Sequence, residues 1–270
     1  GSLGTMIANN LHLAGHQVVG VRKSAQALPH AMQTIQADVT QAESLSTLAE
    51  VYAQIVIYCI SATASSEEAY YQHYVLGLSN VLATQRDNTK LERVFFVSSS
   101  SVYGDDTQNI VDETSPTLAA NYNGKRMLQA EQLLTQLACP YTVLRLSGIY
   151  GTGRLYLLNM AKDITRWPQQ NSWSNRIHQQ EDAAFIAYLV NLHEQQPLQS
   201  CYIVTDDMPT QQYEVLVWLA QQLHVQVPTL NIPSISHGKR LSNRRLRDTG
   251  FILKYANYQF GYSEIIKAIS

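Results

Sequence analysis

Cysteine, charge of one sign and long apolar runs are all scarce in this chain. Only three cysteines occur in 270 residues, Cys59, Cys139 and Cys201. An odd count cannot pair fully, and no Cys-x-x-Cys or neighbouring His cluster points to a metal or redox centre. The expectation is buried, reduced thiols in a cytoplasmic protein. Nineteen Lys and Arg stand against 21 Asp and Glu, a formal net charge of -2. That balance offers nucleic acid no basic surplus, and no basic amphipathic stretch suits a membrane surface. No apolar run nears the ~18 residues of a membrane span. The N-terminus lacks the basic start and apolar stretch of a secretory leader. No His/Asp/Glu set has metal-ligand spacing, so no metal is expected. Internal repeats and low-complexity tracts are also missing.

What is present is an apolar fraction of 45%, ample for a continuous core in one large domain or one domain with a small lobe. Leu3, Ile7, Leu11 and Ala14 recur at helical spacing and stop at Gly15. Val18, Val19 and Val21 form a β-branched run, and 35–39 is the next strand candidate. Residues 55–60 read as a strand buried on both faces. A helix over 67–85, a strand over 93–97, a turn-rich loop over 104–116, a helix over 122–138 and a strand over 141–146 follow. Strands alternating with helices imply right-handed crossovers and a parallel sheet covered on both faces. From Gly151 the pattern loosens: Trp167, Trp173 and the polar stretch 169–175 suggest an irregular lobe. A strand over 201–204 and a helix over 211–223 come next, and Pro228 and Pro233 bracket a loop. The expected division is a dinucleotide-binding region over 1–150, with later segments returning to it, and a mixed lobe over 151–270.

Several motifs carry a family resemblance. Gly1-Ser2-Leu3-Gly4, a helix, Gly15-His16 and the valine strand resemble the back half of a dinucleotide-binding glycine fingerprint. Ala37-Asp38-Val39-Thr40, the stretch V-S-S-S-S-V-Y-G over 97–104, L-R-L-S-G-I-Y-G over 144–151, and Arg176-Ile177-His178 with Glu181 and Asp182 follow in order. Lys239 to Asn243 with Leu246, Gly250 and Phe251 extend the likeness to the C-terminal end. Together these resemble an extended, atypical short-chain dehydrogenase/reductase of the NAD-dependent epimerase/dehydratase-like kind. The resemblance implies an α/β, Rossmann-like doubly wound parallel sheet with a small C-terminal substrate lobe. It also implies a first strand and one more glycine, expected upstream of Gly1.

The resemblance assigns cofactor contacts to Gly1, Ser2, Leu3 and Gly4, to Asp38 and Val39, to Ser61 and Ala62, and to Ser147 and Gly148. Arg22, with Lys23 and Ser24 beside it, ends the second strand where an acidic residue would favour NAD; a basic one suits the 2′-phosphate, so NADP is expected over NAD. Ser99 is the implied substrate-orienting serine, with Ser98, Ser100 and Ser101 as alternatives. Tyr122 is the implied acid/base. A free Tyr titrates near ~10 and needs a nearby cation to act as a base at neutral pH. The family places Lys four residues after the Tyr; here that position is Arg126, and Lys125 stands one earlier. Arg keeps the charge but not the shape. Tyr74 stands where the family often has Asn. His178 could face the substrate, although a hydrogen-bonded structural His is the plainer reading.

The implied function is an NAD(P)-dependent oxidoreductase or epimerase acting on a hydroxyl or carbonyl substrate, with a sugar nucleotide as the family-level suggestion. The alternative is a non-catalytic dinucleotide-binding sensor or regulatory protein of the same fold. By analogy, a homodimer would pair the helices over 67–85 and 122–138.

Overall fold

A computed structural model describes residues 1–227 and 231–269; Pro228 lies outside the described residues. The strands are β1 (Val19–Arg22), β2 (Gln33–Gln36), β3 (Ile55–Tyr58), β4 (Arg93–Ser99), β5 (Asp106–Val111), β6 (Tyr141–Leu146), β7 (Gly148–Tyr150), β8 (Asn171–Ser174), β9 (Arg176–His178), β10 (Cys201–Val204), β11 (Thr210–Gln211) and β12 (Ile235–Leu241). The α-helices are α1 (Ser2–Leu13), α2 (Glu67–Tyr70), α3 (Gly77–Thr84), α4 (Tyr122–Leu134), α5 (Tyr156–Ala161), α6 (Gln179–Leu192), α7 (Gln212–Gln222), α8 (Arg244–Arg247) and α9 (Tyr258–Ile269). They form two compact units that interleave along the chain. Unit 1 holds 1–102, 117–145 and 183–202; unit 2 holds 103–116, 146–182 and 203–270.

In unit 1, α1 buries Leu3, Ile7 and Leu11 along one stripe, as the spacing predicts. Gly15 ends it at φ 93°, a left-handed conformation that glycine adopts without penalty. The Gly15 N–H then donates to His12 O and the His16 N–H to Leu11 O, both at 3.0 Å, so two end carbonyls of the helix are satisfied. β1 and β2 pair in parallel from Val19↔Gln33 to Arg22↔Gln36. The second strand is thus shifted toward the N-terminus from the expected 35–39, and Val39 falls in the turn after it. A separate sheet runs β10-β6-β4-β3, with β3 and β4 parallel from Ile55↔Arg93 to Tyr58↔Phe96.

β4, inside this sheet, is buried from Arg93 to Ser98. Ile55, Val56 and Ile57 of β3 are half-buried, not covered on both faces as expected. The helix expected over 67–85 is one helical path with an interruption. Ser66 caps its start, accepting from the Ala69 N–H at 3.2 Å. A wide π-helical turn over Tyr71–Leu76 then separates α2 from α3. α4 starts at Tyr122 as expected but ends at Leu134, four residues early.

Unit 2 corrects two expectations. The segments 104–116 and 169–175, read as loop and irregular lobe, contain β5 and β8. Both join a sheet ordered β11-β8-β12-β5, in which β12 runs parallel to both neighbours and β11 antiparallel to β8. Asp106–Val111 and Asn171–Ser174 are mostly polar, so no apolar alternation announces them; backbone pairing with β12 makes them strands. β7 and β9 form a second, parallel pair. Tyr150, Leu158, Trp167, Leu216, Tyr258 and Tyr262 belong to the core of this unit. The three cysteines are half-buried rather than buried, and no disulfide joins them.

One buried carboxylate ties three elements of unit 1 together. Glu131 on α4 accepts from Ser98 Oγ on β4 at 2.6 Å. It also receives Arg145 of β6 in a fork, Nε to Oε1 at 3.1 Å and Nη2 to Oε2 at 2.6 Å. Both side chains are about nine-tenths covered, so removing one partner strands a buried charge, a loss of about 3–5 kcal/mol. Glu131→Ala should therefore lower the unfolding free energy by about 3–5 kcal/mol in urea melts, and Glu131→Gln, which keeps part of the bonding, by less. A loss within experimental error for both variants would show that the clamp does not hold the unit together.

Candidate functional site

The N-terminus of α1 presents backbone donors. Gly1 accepts from the Thr5 N–H at 3.0 Å, but the amides of Ser2, Leu3 and Gly4 precede the first intrahelical bond. No side chain caps them. With the positive end of the helix dipole, this is a surface that fits a diphosphate. A Cβ on Gly4 would meet Cys59 O at an ordinary 3.8 Å.

The expected ribose-end residues form a basic corner after β1. The Arg22 guanidinium folds back onto Gln26, donating to its backbone oxygen at 2.9 Å. Lys23 pairs with Asp38 at 2.7 Å, and Ser24 is exposed. The Asp38 carboxylate also accepts from the Thr40 N–H at 3.0 Å and hydroxyl at 2.8 Å. Lys23 above all, with Thr40, holds its carboxyl down to about 2. Its oxygens are thus largely spent on its own turn. Val39 O accepts from the Asn80 side chain at 2.9 Å. Ser61 and Ala62 follow β3, Ser61 exposed and Ala62 half-buried. Buried Tyr74 reaches this segment with its hydroxyl, which donates to Ile60 O at 3.3 Å. The residue standing in for the family Asn therefore braces the strand end.

The structure brings the serine strand end and the start of α4 together through a glycine. A Cβ on Gly124 would lie 2.2 Å from Ser101 O and 2.9 Å from the Ala119 side chain. Only a residue without a side chain lets the first turn of α4, carrying Tyr122, press onto Ser101. Ser99 Oγ accepts from the Ser101 N–H at 3.1 Å, which leaves its hydroxyl proton available. Ser98, one of the alternatives, is buried and committed to Glu131. Tyr122 is half-buried and meets Tyr70 edge-on, ring centroids 5.5 Å apart.

The two candidate cations part ways. Arg126 donates to Gln129 at 2.7 Å and Glu67 at 2.9 Å, and its guanidinium lies 5.2 Å from the Tyr71 ring centroid. It is a brace between α4 and the helical path from α2. Lys125 is exposed. Gly124, Glu131 and Tyr70 were not singled out from sequence. A lone acid on the apolar side of a helix, with an Arg inside an apolar strand, is the signal that could have marked Glu131 and Arg145.

Ser147 and Gly148 lie in unit 2. The Ser147 N–H donates to Val204 O at 3.0 Å, and its buried hydroxyl has no partner among the described residues. Gly148 opens β7 opposite Arg176. His178 is buried, its ring centroid 5.2 Å from Tyr150 and 4.3 Å from Tyr255. Burial pushes its pKa down to about 4, so it is a neutral packing residue at ordinary pH, which is the plainer of its two readings. Among the described residues, no group of three His, Cys, Asp or Glu side chains could hold a metal ion, and no helix is long and apolar enough to cross a membrane.

The family model for the NAD dependent epimerase/dehydratase family matches residues 1–189. A solved structure from Methylobacillus flagellatus, assigned to the NAD-dependent epimerase/dehydratases, is 40% identical, covers 100% of this chain and 96% of its own, and has a TM-score of 0.91. The UDP-glucose 4-epimerase of Thermus thermophilus, solved in complex with NAD, covers 98% of this chain and 94% of its own at TM-score 0.78; at 17% identity it shows the fold alone. Protein YeeZ of Escherichia coli K12 is 28% identical over 164 residues, 57% of this chain. The match spans 58% of the length of YeeZ. The fold is the Rossmann-like α/β architecture of these epimerases and short-chain dehydrogenase/reductases. With the family model matching more than half of its length, the chain belongs to the NAD dependent epimerase/dehydratase family.

Proposed function

We propose that this chain is a nicotinamide-dinucleotide-dependent oxidoreductase or epimerase that acts on a carbon bearing a hydroxyl or carbonyl, with a sugar nucleotide as the substrate class. The observation that carries this reading is the Gly124–Ser101 contact, which seats Tyr122 at the end of the serine strand. The Ser99 hydroxyl, its oxygen already accepting from Ser101, donates to the substrate oxygen and orients it. Tyr122 exchanges a proton with that oxygen. Arg126 is taken by Glu67, Gln129 and Tyr71, so the cation that assists Tyr122 is Lys125, one turn on at i+3. The dinucleotide, when bound, supplies the hydride acceptor and donor.

For the cofactor, the free amides of Ser2, Leu3 and Gly4 receive the diphosphate, and Arg22, Lys23 and Ser24 receive the 2′-phosphate of NADP. Arg22 lies folded on Gln26, an arrangement a phosphate can replace with shorter, charge-assisted bonds. Unit 1 carries the dinucleotide and unit 2 the substrate lobe. A second reading is favoured by the capture of Arg126: the chain binds dinucleotide without turning it over, as a sensor or regulatory protein.

Three measurements test the proposal. NADP should bind more tightly than NAD in calorimetric titration. Arg22→Ala should weaken NADP by about 10–100-fold, the roughly 1.5–3 kcal/mol of a charged hydrogen bond, and change NAD little; tighter NAD binding by the unaltered protein would reverse the preference. Across a panel of carbonyl compounds and sugar nucleotides, Tyr122→Phe should reduce kcat by about 100-fold or more while dinucleotide affinity is kept. Tight NADP binding with no turnover of any panel member would favour the sensor. Gly124→Ala should lift the first turn of α4 from Ser101, and so reduce kcat in a protein whose dinucleotide affinity is unchanged.

A further inference from the structure

Under α9 of unit 2 lie three buried polar atoms that no described residue satisfies: Arg176 Nη1, Asp206 Oδ2 and Tyr150 Oη. Their residues are 3%, 1% and 3% exposed. The rest of each side chain is accounted for. Arg176 Nη2 donates to Ser174 Oγ at 2.6 Å, and its guanidinium lies 5.4 Å from the Tyr258 ring centroid. Asp206 Oδ1 accepts from the Met208 N–H at 3.0 Å. The Tyr150 ring stacks on Tyr262 with centroids 4.4 Å apart. A Cβ on Gly261 of α9 would lie 2.1 Å from the Tyr150 hydroxyl, so that hydroxyl is pressed against the helix.

The three groups share one neighbourhood. The Asp206 N–H donates to Arg176 O at 2.9 Å, which sets the two residues side by side. Tyr150 feels the charges of both Asp206 and Arg176. Yet no ion pair joins Arg176 to Asp206 among the described residues. A buried donor and a buried acceptor left without partners each carry a desolvation cost. What completes them must accept from Arg176 and bond Asp206 at once. A hydroxyl group does both, and a buried water typically makes about three such bonds. The near-total enclosure favours water over the hydroxyl of a larger ligand.

We propose that Arg176, Asp206 and Tyr150 form a closed binding site for one water molecule, which accepts from Arg176 Nη1, bonds Asp206 Oδ2 and bonds the Tyr150 hydroxyl, so that α9 docks over a hydrated polar cluster. The site is independent of the catalytic reading above. It has a consequence for protons. Burial raises the Asp206 carboxyl from the ordinary 3.8 to about 7. The groups facing it are Arg176 from β9, Tyr150 from β7, Tyr258 from α9 and its neighbour Asp207; Glu181 faces Tyr150 in turn. A raised folded pKa means that the folded state holds the proton longer. The associated stability is full below the unfolded pKa and is lost as pH rises from 3.8 toward 7.

A high-resolution crystal structure of the whole chain without substrate should show one density peak within hydrogen-bond distance of all three atoms. In Tyr150→Phe the peak should persist on two partners. Asp206→Asn keeps the shape but cannot titrate, so the Tm of the unaltered protein should fall relative to that of the variant over this pH window. Direct contact of Arg176 with Asp206, with no peak, would overturn the site. So would a peak that appears only after soaking with a sugar nucleotide, because the guest is then a substrate hydroxyl. Parallel Tm–pH curves for the two proteins would overturn the proton linkage.

Discussion

The buried pair between Glu131 and Arg145 is the interaction from which the arrangement of unit 1 follows. A carboxylate inside a protein is costly unless every lone pair is used. Glu131 meets that demand with Ser98 and a forked Arg145, which are on β4 and β6, so α4 is tied to both strands in the observed register. That register brings Gly124 onto Ser101 and sets Tyr122 beside the serine strand.

The same docking decides which cation is free. With α4 held, Arg126 faces the helical path that begins at α2, and Glu67, Gln129 and Tyr71 take it. Lys125, one residue earlier, faces solvent. Arg126 is thus a structural brace between two helical segments, and the exposed Lys125 takes no part in it. The π-helical turn after Tyr70 interrupts the ladder in the stretch that carries Tyr71 and Tyr74, one on Arg126 and the other on the end of β3. Such turns are rare and recur at functional sites.

Unit 2 follows another rule. Its sheet is built from strands with little apolar alternation, and its interior carries charge. His178 is kept neutral by burial among tyrosines. Arg176 and Asp206 remain polar within a ring of tyrosines from β7 and α9. The two units therefore differ in what makes them cohere: apolar strands with one ion clamp in the first, tyrosines around buried polar groups in the second.

By itself the sequence determined the alternation of helix and strand, the glycine stop at Gly15, the buried run of β4, the full span of β10 and the serine strand with Tyr122 beyond it. These are local signals, carried by apolar spacing and turn chemistry within a few residues. The family, too, was legible, because its motifs are short and ordered. Only the tertiary structure decided that the polar segments holding β5 and β8 pair with β12, that Asp38 is spent on Lys23 and Thr40, and that Arg126 belongs to Glu67. Each of these depends on a partner that no local pattern names, in the case of β5 and β12 more than a hundred residues away. A polar strand or a paired charge gains its stability from that partner, so its state is settled only when the chain has brought the two together.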